Sequence, residues 1–410
     1  KIKMSTKILK ILIDFGIGFT KVGFIGESEP IKIVPTPSLI NLEDYFQVIT
    51  DKINILSFPK TSLEKKLEVE EFSSYIINNI LQIYKSEQKY ADYYCYILFD
   101  LDLKEKYMDI FTSFVKYIYE TFIFITSIKI FPKKIFPIFV SGFYSGIILN
   151  CGYSFATITV VNNGLNVFSK KIFGGSCDMQ KVLYNIIIND VKERKNGNQL
   201  NENDFEILKK NLVKYIDDIM VRISYILNRK VSQEYKQIKS GEENKEKEKH
   251  IQIGFYSDLP LFKIDFNTRV ILGEKLFEEN NENNLAFLIL KTLNENVPCE
   301  IRKKIGSNIV LSGGLTMLEG FYQRFLDEIN FIADNKKEFI RLKGIRNVLR
   351  VNRIIYPRNI LTWVGASLFL GNCKKNNFSG NEINREIREN IPDKKIDNDE
   401  LKKIFENLRI

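Results

Sequence analysis

The chain has 410 residues, of which 44% are hydrophobic and 27% are charged, and its formal net charge is +9. This length allows two to four domains, and the apolar content excludes a wholly disordered chain. Most of the charge lies in mixed runs such as 242–249 and 393–403, which favours solvated surfaces over direct nucleic-acid binding.

The five cysteines are scattered without metal-ligand spacing, and the single histidine, His250, lies in a charged run. These patterns argue against a disulfide framework, a zinc site and histidine-based catalysis. The most apolar stretch, 117–149, is broken by lysines and prolines, and falls short of the roughly 18–20 apolar residues that a spanning helix needs. No signal-peptide pattern is found near residue 1. We therefore expect a cytoplasmic protein without a membrane span, with the nucleus as the alternative.

Strand and helix patterns alternate through the first third of the chain. A mostly apolar run at 8–13 ends at an acid and a glycine-rich turn, which predicts a central strand. Further strands are predicted at 22–25, 31–34, 94–99 and 124–131. Apolar residues at helical spacing predict helices at 67–84 and 104–119.

The same order then recurs. A strand at 147–149 ends at Asn150, return strands are predicted at 156–161 and 167–173, and a helix is predicted from about 176 to 191. Two passes of strand, turn, strand, strand and helix indicate an internal duplication and therefore two related lobes.

The rest of the chain is more varied. The Lys/Glu-rich segment 231–251 predicts a disordered insertion. A helix is predicted at 280–294, a strand at 308–312 and a helix at 321–329. The charged tail, 372–410, is expected to be disordered, with 399–408 as an alternative partner-docking helix.

The first glycine-rich hairpin suggests phosphate chemistry. Strand 8–13 delivers Asp14 to the tip, and Gly16 and Gly18 let the backbone approach a phosphate closely. Lys21 can reach that phosphate, and Asp14 can hold a hydrated divalent cation. An ordinary hairpin with a solvated lysine is the alternative.

A second candidate lies at 308–317, where a buried strand meets Gly313 and Gly314 before a helix. A double glycine lets the backbone pack flat against a planar ligand such as adenine. A tight strand-to-helix turn is the alternative.

In this order and spacing, the motifs resemble those of the actin family. Asp14, Gly16, Gly18, Lys21, Gly23 and Gly26 match its first phosphate loop, 308–325 resembles its adenine loop, and 361–367 resembles its C-terminal Trp-x-Gly-Gly-Ser segment. The resemblance covers about 7–371. It implies an α/β fold with two lobes of ribonuclease-H-like topology, duplicated around a nucleotide.

The resemblance also implies a domain division and a ligand. The first lobe would be 1–142 completed by 345–371, and the second 143–344. ATP or ADP with Mg²⁺ would lie between them, with Asp14 as the metal residue. The expected cofactor-binding residues are Asp14, Gly16, Gly18, Lys21, Gly152, Gly313, Gly314 and Met317.

The departures from the family pattern bear on catalysis. Ile17 replaces a hydroxyl residue, while Asn150 and Tyr153 stand where the second phosphate loop has acids. The family's water-positioning Gln falls near Lys133, and its base-contacting Lys-Glu pair falls near Lys209. Because phosphoryl transfer depends on positioning and electrostatics, we expect weak hydrolysis or none and assign no catalytic residue.

The region of about 38–67 is shorter than the family's second subdomain, whose loop holds the next subunit of a filament. This shortening and the run 151–153 resemble the pointed-end actin-related proteins of dynactin. The sequence therefore favours a non-polymerising terminal, capping or scaffold subunit, with other actin-like subunits or cytoskeletal complex proteins as partners. The alternatives are a nuclear actin-related subunit of a chromatin complex and an active ATPase or sugar-kinase-like enzyme of the same fold.

Overall fold

The computed structural model describes residues 7–36, 62–83, 91–100, 104–193, 202–240, 251–253, 262–278, 284–372 and 381–384. These residues form two compact units. The first comprises the described residues up to Gly142 and from Ile360 onward, and the second comprises those in Phe143–Asn359. Residues 345–359, which the sequence-based division placed in the first lobe, group with the second unit.

The secondary structure follows the predicted alternation closely. The strands are β1 Lys7–Asp14, β2 Phe19–Phe24, β3 Lys32–Pro35, β4 Ala91–Phe99, β5 Ile125–Pro132, β6 Gly146–Cys151, β7 Ala156–Asn162, β8 Leu165–Ile172, β9 Ile251–Ile253, β10 Phe262–Ile264, β11 Ile309–Ser312 and β12 Asn381–Asn384. The α-helices are α1 Ser62–Ile83, α2 Lys104–Thr121, α3 Ser176–Glu193, α4 Glu202–Ile223, α5 Arg229–Ser240, α6 Phe266–Leu276, α7 Leu285–Glu295, α8 Cys299–Gly306, α9 Phe321–Asn335 and α10 Leu361–Asn372.

The first unit contains a mixed sheet in the order β12-β5-β4-β1-β2-β3. Strand β1 pairs parallel with β4 and antiparallel with β2, and Ile11, Leu12 and Ile13 are fully buried. A central strand buried on both faces explains why its sequence is almost continuously apolar. The ring of Phe15, just after β1, packs 4.9 Å from that of Phe114 on α2. This packing fixes the end of β1, where Asp14 lies.

The later residues of the first unit complete it. Helix α10 packs on a short 3₁₀ helix, Phe136–Ser141, with the rings of Phe369 and Phe139 stacked 4.4 Å apart. Strand β12 pairs antiparallel with β5. The prediction of disorder for 372–410 is therefore wrong for Asn381–Asn384, because an open edge of the sheet supplies backbone partners that the local sequence does not reveal.

The second unit contains a four-stranded sheet in the order β11-β6-β7-β8 and a two-stranded β9-β10 pair. Strand β6 pairs antiparallel with β7 and parallel with β11, just as β1 pairs with β2 and β4. The same arrangement of four strands thus occurs once in each unit, in agreement with the duplication read from the sequence.

The prediction of a disordered insertion at 231–251 is wrong for 231–240, which belong to helix α5. Its Ser232 donates to Glu274 at 2.8 Å, Lys236 forms an ion pair with the same carboxylate at 3.0 Å, and Tyr235 packs edge-on against Phe266. Lys, Glu and Gln are strong helix formers, so a charged sequence becomes an ordered helix once tertiary contacts anchor one face. Residues 241–250 lie outside the described part of the chain.

Two further predictions fall on residues that the structure does not describe: most of the shortened subdomain at 38–67, of which 38–61 are outside, and the candidate docking helix at 399–408. Among the described helices, none is long and apolar enough to cross a membrane.

Candidate functional site

The first hairpin brings together the acid and the lysine that the sequence singled out. Asp14 ends β1 and lies opposite Lys21 of β2 in the register of the antiparallel pair. The Nζ atom of Lys21 lies 3.1 Å from Oδ2 of Asp14, whose side chain is only 2% exposed. The Lys21 ammonium therefore lies at the tip of the hairpin with a fixed partner.

A second lysine reaches the same carboxylate. Lys133, directly after β5, places its Nζ atom 3.4 Å from Oδ1 of Asp14 and 3.1 Å from the carbonyl oxygen of Phe15. The Lys133 N–H donates to the carbonyl of Phe99 at 3.1 Å, which fixes the backbone. Each oxygen of the Asp14 carboxylate thus has one ammonium partner.

The electrostatics of Asp14 follow from this arrangement. Burial alone would raise the pKa of Asp14, because a charged carboxylate loses its hydration. The ammonium groups of Lys133 and Lys21 outweigh that effect and hold the pKa of Asp14 below its ordinary value. The carboxylate is therefore ionised at neutral pH.

The turn of the hairpin is held by Thr36, which directly follows β3. Its hydroxyl donates to the carbonyl of Gly16 at 2.6 Å, and its N–H donates to the carbonyl of Gly18 at 3.0 Å. A Cβ atom at Gly16 would lie 2.4 Å from the carbonyl oxygen of Phe19, so this turn requires glycine. Thr36 has no counterpart in the motif and was missed by the sequence reading.

The C-terminal motif packs on the first hairpin within the same unit. Trp363 is fully buried and its ring lies against Gly23, while the Gly26 N–H donates to Oγ of Ser367 at 2.9 Å. A Cβ atom at Gly365 would lie 1.9 Å from the carbonyl oxygen of Phe136. Two of the three motifs that carry the family resemblance are therefore in direct contact.

The second hairpin, in the other unit, has no acid at its tip. Gly152 follows β6, and its carbonyl accepts the N–H of Ser176 at the start of α3 at 2.9 Å. The Tyr153 hydroxyl donates to Oε1 of Gln180 at 3.3 Å, and Nε2 of Gln180 donates to Asp217 at 2.8 Å. The bond between Tyr153 and Gln180 joins two neutral groups. Burial raises the pKa of Asp217.

The loop at 308–317 that is predicted to contact adenine, called the base loop below, lies beside this hairpin in the second unit. Ser312 pairs with Asn150 in the parallel register of β11 and β6. Gly313 has a φ of +95°, and a Cβ atom there would lie 2.1 Å from the carbonyl oxygen of Cys151. Gly314 has open space around it, and Met317 is 47% exposed. The structure therefore brings Gly152, Gly313, Gly314 and Met317 into one region of this unit.

Arg358 supports the base loop and was missed by the sequence reading. Its carbonyl accepts the N–H of Gly313 at 2.9 Å, and its guanidinium donates to the carbonyl of Thr316. Burial lowers the pKa of Arg358 from its ordinary value. No local pattern marks this residue, because both contacts join positions more than 40 residues apart.

Lys209 lies on α4, where the family's base-contacting pair was placed by the alignment of motifs. It is buried, forms an ion pair with Glu206, and its Nζ atom lies 4.6 Å above the ring of Phe205. Its charge is therefore already matched by an acid one turn earlier.

Comparison with known proteins identifies the relatives of this chain. A family model described as Actin matches residues 112–389. Putative actin-29 of Dictyostelium discoideum is 33% identical over 104 residues, which is 25% of each chain. Centractin of Schizosaccharomyces pombe is 23% identical over 347 residues, or 80% of this chain and 84% of centractin. The family match and the two mixed sheets confirm the predicted actin-like α/β fold.

Proposed function

The chain belongs to the actin family, and on that premise we propose that it is a structural actin-related subunit of a cytoskeletal assembly, binding nucleotide for stability with weak hydrolysis or none. Its similarity to centractin along most of both chains supports an actin-related protein. The finer assignment, to the pointed-end actin-related protein of dynactin, stays a prediction from the sequence.

One observation carries the proposal of weak hydrolysis: the Lys133 ammonium lies 3.4 Å from Asp14. By the motif alignment, Lys133 stands near the position of the family's water-positioning Gln. A Gln side chain can accept a hydrogen bond from an attacking water, whereas a lysine ammonium has three donors and no acceptor. The replacement therefore removes a group that could orient the water.

The second hairpin also supports the proposal of weak hydrolysis. Asn150 and Tyr153 carry no negative charge, and Tyr153 is engaged with Gln180. Phosphoryl transfer is driven mainly by positioned charge, so a hairpin without acids contributes little to it. Phosphate binding depends less on acids, because backbone N–H groups and lysines supply it.

The proposed ligand is ATP or ADP. In the first unit, Gly16, Gly18 and Lys21 would contact its phosphates while Asp14 positions Lys21. In the second unit, Gly152, Gly313, Gly314 and Met317 would contribute to binding. A ligand that binds only the folded chain stabilises it in proportion to the logarithm of its concentration. The sequence predicts Mg²⁺ at Asp14, and the two lysines at that carboxylate weaken this part of the prediction.

A pelleting assay tests the structural proposal. The purified chain, with Mg²⁺ and ATP under salt conditions that polymerise ordinary actin, should remain in the supernatant after high-speed centrifugation. Actin treated in parallel serves as the positive control. Quantitative pelleting of this chain alone, as filaments in electron micrographs, would contradict a non-polymerising role.

Affinity purification from cells separates the cytoskeletal from the nuclear alternative. We expect actin-like subunits and other cytoskeletal complex proteins to co-purify with the tagged full chain. Recovery of chromatin-remodelling subunits in their place would overturn the cytoskeletal assignment and leave the actin-family fold intact.

A further inference from the structure

Lys133 occupies a position where its charge acts directly on the predicted phosphate hairpin. Its Nζ atom contacts Oδ1 of Asp14 at 3.4 Å and the carbonyl oxygen of Phe15 at 3.1 Å. The side chain is 15% exposed, so part of it still reaches solvent. It lies 119 residues from Asp14 along the chain, and the parallel alignment of β1, β4 and β5 brings the two together.

The charges of this cluster sum to a positive value. Asp14 contributes one negative charge, and Lys21 and Lys133 contribute one positive charge each, at 3.1 and 3.4 Å from the carboxylate. Within the described residues, no group of three or more His, Cys, Asp or Glu side chains is arranged to hold a metal ion. The cluster therefore favours an anion over a cation.

A divalent cation does not fit this carboxylate as it stands. Mg²⁺ needs near-octahedral oxygen ligands at about 2.0–2.1 Å, or waters ordered by carboxylates. Both oxygens of Asp14 already accept an ammonium N–H, one from Lys21 and one from Lys133. A doubly charged ion at the same place would also be repelled by both lysines.

The two ammonium groups retain hydrogen-bonding capacity. A lysine ammonium has three N–H donors. Lys133 uses two, on Asp14 and Phe15, and Lys21 uses one, on Asp14, among contacts between described residues. The remaining donors, on partly exposed side chains, are available to phosphate oxygens, and hydrogen bonds between charged partners are the strong ones.

We propose that the Lys133 ammonium takes the place of the divalent cation, so that Lys21 and Lys133 together bind the phosphates of a nucleotide without a metal ion. This inference rests on the proposed nucleotide binding and adds to it a specific residue and an independence from Mg²⁺. Asp14 then holds the two ammonium groups apart and in position.

Isothermal titration of the full-length chain, freed of bound nucleotide, with ADP and ATP tests the inference. One series contains Mg²⁺ and the other contains EDTA. We expect dissociation constants in the two series that agree within about twofold, because the ammonium groups supply the positive charge in both. Affinity lost in EDTA would overturn the inference while nucleotide binding itself stands. No binding in either series would overturn both.

The variant Lys133→Gln tests whether Lys133 is the residue that makes nucleotide binding independent of Mg²⁺. We expect it to bind about tenfold more weakly in EDTA, as is typical for losing one charged hydrogen bond, and to recover affinity when Mg²⁺ is added. Lys32→Gln removes an exposed lysine from edge strand β3 and should match the unsubstituted chain in both series. Unchanged affinity in folded Lys133→Gln would overturn the role of Lys133. If that variant does not fold, the Mg²⁺ and EDTA series of the unsubstituted chain decide the question.

Discussion

The indole N–H of Trp363 donates to the carbonyl of Leu12 at 3.1 Å, across 351 residues of the chain. The same ring packs under Gly23, where a Cβ atom would lie 2.7 Å from it. One turn later on α10, Ser367 accepts the N–H of Gly26. Helix α10 therefore holds both strands of the first hairpin, β1 and β2, and Asp14 lies at the end of β1.

Substituting Trp363→Phe tests this anchoring. The change removes a buried donor and part of a fully buried ring, so we expect a loss of about 1–3 kcal/mol in unfolding free energy. Urea unfolding followed by circular dichroism measures this loss, because the variant lacks the only tryptophan of the chain and gives no tryptophan fluorescence. The control Ile355→Ala, at a side chain that is 98% exposed, should change stability by less than about 0.5 kcal/mol. Equal effects of the two changes would contradict the anchoring.

Two neighbouring glycines of the base loop, Gly313 and Gly314, provide a test variant and its matched control. Gly313→Ala places a Cβ atom 2.1 Å from the carbonyl oxygen of Cys151 at a φ of +95°, whereas nothing lies within 4 Å of one at Gly314. We expect Gly313→Ala to cost about 2–4 kcal/mol, from overpacking and left-handed strain together, and Gly314→Ala to be near neutral. Thermal melting of the two variants measures the difference. Equal melting points would show that Gly313 does not approach β6 as described.

The cysteines should differ sharply in reactivity. Cys95, Cys151 and Cys177 are buried, and Cys299 is exposed. Burial raises the pKa of Cys151 to about 12 and also raises that of Cys95, so both thiols stay protonated and inaccessible at neutral pH. Iodoacetamide labelling of a Cys373→Ser chain, read by mass spectrometry, should modify Cys299 alone. Labelling of Cys151 in the folded protein at the rate of Cys299 would contradict this.

Glu274 should make the free energy of unfolding depend on pH in the acid range. Burial would raise the pKa of Glu274, but Arg324, whose Nη1 lies 3.1 Å from its Oε1, together with Ser232 and Lys236 outweighs burial and lowers the pKa. A lowered pKa contributes stability at pH values above the unfolded pKa, and the contribution is lost as pH falls through the folded pKa. The unsubstituted chain should therefore exceed Glu274→Gln in stability most at pH 7, and the gap should shrink below about pH 4. A gap that stays constant with pH would contradict the assignment.

The strands and hairpins could be predicted because their signals are local. An apolar run that ends at Asp14 and is followed by closely spaced glycines predicts a hairpin from neighbouring residues alone. Strand β6, followed by Gly152, repeats this pattern. Helix α5 was missed because a Lys/Glu-rich segment is typical of both a disordered loop and a helix. The decisive contact, of Ser232 with Glu274, spans 42 residues.

The chemistry of the first hairpin was predictable only in part. The motif identifies Asp14 and Lys21, which face each other across one hairpin. The contact of Lys133 with Asp14 depends on how β5 is placed in the sheet, and strand order is not encoded in any local run of residues. The sequence placed Lys133 near a family position but did not reveal its carboxylate partner.

The fate of bound nucleotide tests the central claim most directly. The purified chain is loaded with radiolabelled ATP, freed of unbound nucleotide, incubated and denatured at intervals, and the released nucleotide is identified by chromatography, with ordinary actin in parallel. The account predicts nucleotide in near-equal ratio to protein, released mainly as uncleaved ATP long after actin has converted its own to ADP. Absence of bound nucleotide, or conversion to ADP as fast as in actin, would contradict it.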